Sequence, residues 1–202
     1  NRGPDRVLGL QHADGGRNED VDFRGQKRSN ATHASTTDPE AMLYRKGPGQ
    51  AATLCYIGHG LMENRSGLLV DARLTKVSGR AEWLAALEMI APHADRPKAI
   101  TLGGDKNFDA ADFVMELREM NVMPHVARKK RFSAIDGRTA RHEAYKVSQR
   151  IRKRIEEAFG WIKGVAGLAK SRFVGRERTD LSFPFAAAAY NLIRLPKLFA
   201  EA

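Results

Sequence analysis

Residues 98–128 read "KAITLGGDKNFDAADFVMELREMNVMPHVAR", and this stretch decides the fold class. A short apolar run, Ala99 to Leu102, leads into a Gly-Gly turn with Asp105 just past its end. "AADFVMELREMN" then spaces its apolar residues as an amphipathic helix does, and "MPHVAR" returns to an extended run. Strand, carboxylate-bearing loop, helix and strand in that order is the rhythm of a βαβ unit. Parallel neighbours need a crossover long enough to carry the chain back to the same end of the sheet. Upstream, "ATLCYIGHGLMEN" and "GLLVDARLT" are separated by "NRSG". Leu68, Val70, Ala72 and Leu74 alternate there with Leu69, Asp71 and Arg73 in period two. That pair predicts an antiparallel hairpin, so the expected fold class is α/β with a mixed sheet.

The remaining elements follow from spacing and punctuation. Residues 80–93 place Trp83, Leu84, Leu87, Ile90 and Ala91 at helical spacing, with Pro92 as the stop. A helix over 148–163 has its core stripe at Ile151, Ile155, Phe159 and Ile162. The stretch 183–200 is interrupted by Arg194, Pro196 and Lys197, short of the roughly 20 apolar residues a membrane span needs, and is expected as a buried closing helix. Residues 1–33 are rich in Gly, Asp, Asn and Arg without a sustained period, so they are expected as an irregular or disordered segment ahead of one domain over 34–202. Cys55 is the one cysteine of the chain; its apolar neighbours point to a buried thiol, and the absence of a possible internal disulfide fits a reducing cytoplasm.

A formal net charge of +10 over 202 residues makes nucleic acid the leading partner class, since clustered cations gain affinity by releasing counterions from phosphates. Anionic membrane surfaces and acidic proteins are the other classes that charge admits. RNA association through the basic loops at 128–154 and 169–178 has no aromatic stacking array of the usual kind behind it.

The most basic helix, "RIRKRIEEAFGWIKG" at 150–164, holds two adjacent carboxylates, Glu156 and Glu157. Exposed i,i+4 charge pairing is the plain explanation. At about 100° per residue, however, Arg152, Glu156 and Lys163 fall within roughly 40° of one another, while Glu157 points about 100° away from Glu156. Glu156 is therefore expected between two cations at the border of the core, partly desolvated. Asp105 has its own interest, because ligands bind open α/β sheets beyond the carboxyl ends of the strands. Its plain role would be a turn former or helix N-terminal acid. Together, Asp105 and Glu156 offer hard oxygen ligands suited to magnesium.

"TLGGDKNFDAADFV", "SQRIRKRIEEAFGWIK", "AAAAYNLIRLPKL", "THASTTDPEAMLYRKG" and "GHGLMENRSGLLVDARLT" together resemble, in order, the catalytic half of bacterial insertion-sequence transposases of the DDE superfamily, in the IS-five group. The likeness runs from about residue 22 to the end. It implies a ribonuclease-H-like mixed sheet flanked by helices, and DNA cleavage and strand transfer with magnesium, or manganese in its place, in a two-metal site. It implies double-stranded DNA partners, the terminal inverted repeats and the target, and a homo-oligomer on DNA. Asp105 matches the second acidic residue of the family's triad and Glu156 the third, both as metal ligands. Arg152 and Lys163 match the basic residues of the Tyr-Arg-Glu-Lys signature; Lys106, Arg150, Lys153 and Arg154 are the neighbouring cations expected on the DNA.

The departures are specific. Gln149 stands at the signature's tyrosine, with Tyr145 a turn earlier, and Asn107-Phe108 replace the family's usual Gly-Tyr after Lys106. The first acidic residue belongs on a central strand like Val-Asp-Gly-Thr ahead of the hairpin, which the sequence lacks; Asp71, Asp22 and Asp38 are poor substitutes. The expectation is thus a domain without its first central strand, active only with an upstream polypeptide that supplies the first Asp. The alternative is an inactive DNA-binding transposase remnant.

Overall fold

The structure is a computed structural model, and it describes residues 7–8, 29–45, 47 and 51–200. Apart from residues 7–8 and 29–33, the segment expected to be irregular lies outside the described residues. Within the described residues the strands form four two-stranded pairs, not one continuous sheet. Three are antiparallel: β1 (Val7–Leu8) with β2 (Ala34–Ser35), β3 (Met42–Tyr44) with β4 (Thr53–Cys55), and β5 (Ile57–Met62) with β6 (Leu69–Thr75). The fourth is parallel, β7 (Ile100–Gly104) with β8 (Val122–Val126). The helices are α1 (Ala81–Ala94), α2 (Ala111–Glu119), α3 (Gly137–Arg141), α4 (Glu143–Ile151), α5 (Arg154–Gly164) and α6 (Arg176–Ala200). This is a mixed α/β architecture of small sheets flanked by helices.

The βαβ unit forms as the sequence indicates, with Ile100 opposite Val122 and Gly104 opposite Val126. Gly103 and Gly104 end the strand instead of making a turn. A Cβ added at Gly104 would lie 3.1 Å from the Phe108 ring and 3.2 Å from Val126, and one added at Gly103 would lie 3.6 Å from Arg152 Cβ. The two glycines let the next layer approach the strand backbone closely.

The hairpin also forms, but its parity changes midway. Leu61 faces Asp71 and Met62 faces Leu69, so Val70 is the extra residue of a bulge. Leu69, Ala72 and Leu74 are buried, and Val70 is 48% exposed, where simple alternation had put Val70 inward. In α1 the buried face is Ala81, Ala85, Met89 and Ile90, rotated from the expected stripe. Alanines let the helix lie close on β5, and Leu84 is left outward. Pro92 sits in the last turn, and the helix runs on to Ala94.

The predicted helix over 148–163 is two helices. Arg152 and Lys153 form a tightened turn in which Glu156 N–H reaches the Lys153 carbonyl at 3.0 Å. The closing helix begins at Arg176. It buries Phe183, Ala186, Ala187 and Tyr190, but leaves Leu181, Phe185, Leu192 and Phe199 exposed, so only one face closes the core. Cys55 is half-buried, and burial raises its pKa, keeping it a thiol.

Two clusters make the core. One gathers Leu61, Ala85, Met89, Leu102, Phe113, Leu117, Val122 and Val126; the other gathers Leu69, Leu74, Ala158, Ile162, Phe183 and Tyr190. The outer edge of β6 is covered by α6: Asp180 accepts the Leu74 N–H at 2.6 Å, and the Asn191 amide makes two 2.8 Å bonds to the Leu69 backbone. Side chains thereby replace the strand that an open edge would otherwise recruit. Neither β5 nor β7 pairs with a further strand among the described residues. Yet both lie between the same layers: Leu61 and Leu102 share the α1 side, while Gly60 meets Phe159 of α5 and Gly103 meets Arg152.

Candidate active site

Asp105 is an exposed residue immediately after β7. It caps a short 3₁₀ turn, Lys106–Phe108, its Oδ1 accepting the Asn107 N–H at 2.8 Å. The turn-former role is therefore real, and it occupies one carboxylate oxygen, while Oδ2 has no hydrogen bond among the described residues. Trp83 of α1 fixes the turn from the side by donating its indole N–H to the Asn107 carbonyl at 3.1 Å.

That contact brings in a carboxylate that the sequence reading passed over. Glu82 lies in the first turn of α1, where burial raises its pKa and the charge of Asp105 raises it further. Two acids from different elements thus share one neighbourhood. The sequence signal was an acid beside a tryptophan at a helix start, which cannot be told from an ordinary N-terminal acid.

The α4–α5 turn packs over the same strand end through the contact of Arg152 with Gly103. Gln149 holds that arginine in place. Its carbonyl oxygen accepts from Arg152 Nε at 3.1 Å, and its amide donates to the His125 carbonyl of β8 at 2.5 Å. A turn earlier, the Tyr145 hydroxyl donates to the Val126 carbonyl at 2.8 Å. The two residues around which the signature departs from its pattern are thus what pins α4 to the parallel pair. Below them, the ring of His125 makes a buried 2.8 Å bond to Ser148.

Glu156 lies one turn beyond Arg152, on the flank of the α5 face formed by Ile155, Ala158, Phe159 and Ile162. It is exposed, like Glu157. Glu156 is thus exposed where partial burial was expected, and the tightened turn at Arg152–Lys153 breaks the continuous helix on which that geometry was drawn. Lys163 is exposed in the last turn of α5, and Lys106, Arg150 and Lys153 are exposed as well. Arg154 is tied down: its guanidinium donates to the Arg65 carbonyl at 3.2 Å and the Asn64 carbonyl at 3.4 Å in the β5–β6 turn.

The other acids considered for the triad are engaged elsewhere or undescribed. Asp71 is ion-paired and hydrogen-bonded to Arg73, which also reaches Glu88 at 3.1 Å. Asp38 accepts the Tyr56 hydroxyl at 2.8 Å and the Gly175 N–H at 3.1 Å, and Glu40 accepts the Arg176 N–H at 2.9 Å. Asp38 and Glu40 therefore cap the start of α6. Asp22 lies outside the described residues.

Among the described residues no three His, Cys, Asp or Glu side chains come together as a metal-binding group. The chemistry of the donors fits a hard divalent cation, but their number does not complete a site. No described helix is long and apolar enough to cross a membrane. A family model for the transposase DDE domain matches residues 24–192. No curated protein and no solved structure matches the chain.

Proposed function

We propose that this chain, which belongs to the transposase DDE domain family, supplies the second and third carboxylates of a DNA-cleaving site in an IS-five-type insertion-sequence transposase. The observation that carries the reading is the packing of the α4–α5 turn on Gly103, next to Asp105. The helix that bears Glu156, α5, begins two residues after Arg152.

Asp105 and Glu156 would hold the divalent ions, magnesium or manganese, and the metal when bound supplies Lewis-acid activation and charge neutralisation at a phosphodiester. The chain's own residues do the rest. Arg152, oriented by Gln149, presents a guanidinium to a phosphate with its direction fixed in advance. Lys106, Arg150, Lys153 and Lys163 add exposed charge, and each phosphate contact raises affinity and salt sensitivity together. Arg154 acts mainly in binding the hairpin turn to α5.

The unpaired edges of β5 and β7 support the reading that a further strand, carrying the first Asp, comes from an upstream polypeptide. Such a strand would run between the two pairs, under α1 on one face and under α4–α5 on the other. The DNA partners are then the inverted-repeat ends and a target, with the chain acting as a homo-oligomer. The second reading, for the chain alone, is an inactive DNA-binding remnant. A nicking assay on inverted-repeat duplex with magnesium separates the two. The first expects cleavage when the chain is combined with an upstream segment bearing an Asp-Gly-Thr-like strand. No cleavage with that segment present, while DNA is still bound, selects the second.

A further inference from the structure

The loop after β8 reads "ARKKRFSA", residues 127–134. Arg128, Lys129, Lys130 and Arg131 are all exposed, and none is in an ion pair among the described residues. Phe132 follows them, 99% exposed, with φ at 55°. A bulky side chain in the left-handed region is an outlier. A turn with no other duty would place Gly or Asn there, so the ring is maintained at a cost in both backbone strain and hydration.

The arch is nevertheless fixed at both ends. Asp109, only 1% exposed, accepts the Lys129 N–H at 2.6 Å and the Ala134 N–H at 2.7 Å. Burial pushes its pKa up, but these donors and the Ser133 hydroxyl outweigh burial and hold it a carboxylate. The next residues are anchored too, since the Ser133 hydroxyl accepts the Ile135 N–H at 3.1 Å and Ile135 is buried. The arch also springs from the candidate catalytic edge. Ala127 N–H donates to the Gly104 carbonyl at 2.9 Å, so Arg128 leaves β8 beside the point where Asp105 leaves β7.

We propose that Phe132 is a stacking wedge. Its ring engages an unpaired or frayed base of DNA, while the four preceding cations hold the adjoining phosphates. This rests on the reading of the chain as a DNA-processing protein. Both faces of the ring are open to solvent, which suits insertion against a base better than packing along a groove wall.

The test measures binding of the full chain to two labelled duplexes of one sequence by fluorescence anisotropy, one fully paired and one with an unpaired base near an end. Wild type should prefer the second by about fivefold to a hundredfold, the range that stacking one base supports. Phe132→Ala should lose that preference, and Phe132→Trp should keep it. Phe132→Gly should lose it too while leaving the melting temperature unchanged or higher, because glycine relaxes the positive φ; this separates stacking from folding. Replacing Lys129, Lys130 and Arg131 by Gln should weaken both duplexes alike and flatten the salt dependence.

The proposal fails if Phe132→Ala keeps the full preference, or if wild type binds both duplexes equally; either result leaves the DNA-cleavage reading standing. Failure of wild type to bind either duplex overturns both. Phe132-dependent binding to phosphatidylserine vesicles, with DNA affinity untouched by Phe132→Ala, would overturn it in favour of a membrane contact.

Discussion

The hairpin half, β5–β6 under α5 and α6, and the parallel half, β7–β8 with α2 and α4, lie on either side of α1 and differ in the acid each leaves for chemistry. In the hairpin half Asp71 is paired with Arg73, Asp180 caps the Leu74 N–H, and Asp38 and Glu40 close the start of α6. Asp180, Asp38 and Glu40 take the place of missing backbone partners, and Asp71 is held by a guanidinium. In the parallel half Asp105 keeps one oxygen free beside Glu82 at the end of a strand. What decides an acid's availability for chemistry is how many donors its neighbours leave unsatisfied, and an antiparallel pair edged by a helix leaves many.

The largest expected effect lies at α5, whose preceding turn meets the parallel half at Gly103. With the upstream segment supplied, Glu156→Ala should lower nicking of inverted-repeat DNA by about a thousandfold, the scale of losing one preorganised charge in a catalytic site. Glu157→Ala should stay near wild type. Equal losses in the two variants would refute the assignment of the two helix faces.

The separation of the cores comes next. Leu117→Ala in the parallel half should cost about 2–5 kcal/mol and Phe183→Ala in the hairpin half about 3–5 kcal/mol. Because no ladder joins β5 to β7, Phe183→Ala should speed amide exchange in β5–β6 and leave β7–β8 nearly as protected as before. Equal loss of protection in both pairs would show one cooperative unit, with the difference between the halves confined to their side chains.

Each half also buries a histidine on its strand pair. His59 of β5, 2.7 Å from the Thr75 hydroxyl, has its pKa lowered to about 4, first by burial and then by Arg73. His125 of β8 is lowered by burial and by His142. A depressed histidine is neutral in the fold and takes up its proton more readily when unfolded. Stability is therefore full above the ordinary histidine range and falls as pH drops from about 6.5 toward 4. His59 should contribute on the order of 2 kcal/mol to that fall after discounting for residual solvent contact. Melting curves between pH 4 and 7 should flatten in His59→Gln; an unchanged slope would remove His59 as the cause.

The smallest effect concerns the hold on Arg152. Gln149→Ala removes its bonds to Arg152 and His125 and should cost about 1 kcal/mol of stability. DNA affinity should weaken while Lys163→Gln still adds its own loss. If Gln149→Ala binds DNA as tightly as wild type, Arg152 is not positioned by that residue.

Much of this was legible from residue order. The βαβ unit, the hairpin and the family itself followed from periodicity, turn residues and long ordered motifs, because each depends on local spacing. Asp105 was legible as a strand-end acid for the same reason. Glu82, Gln149 and Phe132 were not, since their meaning comes from Asp105, His125 and Asp109, all far from them along the chain or across an interface.

The order of residues by itself determined which segments become strands and helices, because a period of 2 or 3.6 is written in neighbouring side chains. Only the tertiary structure decided that Val70 bulges outward, that the basic helix breaks at Arg152, and which acids are used up as caps. Those outcomes depend on distant backbone groups competing for the same donors and the same space, and that competition has no signature in any short stretch of chain.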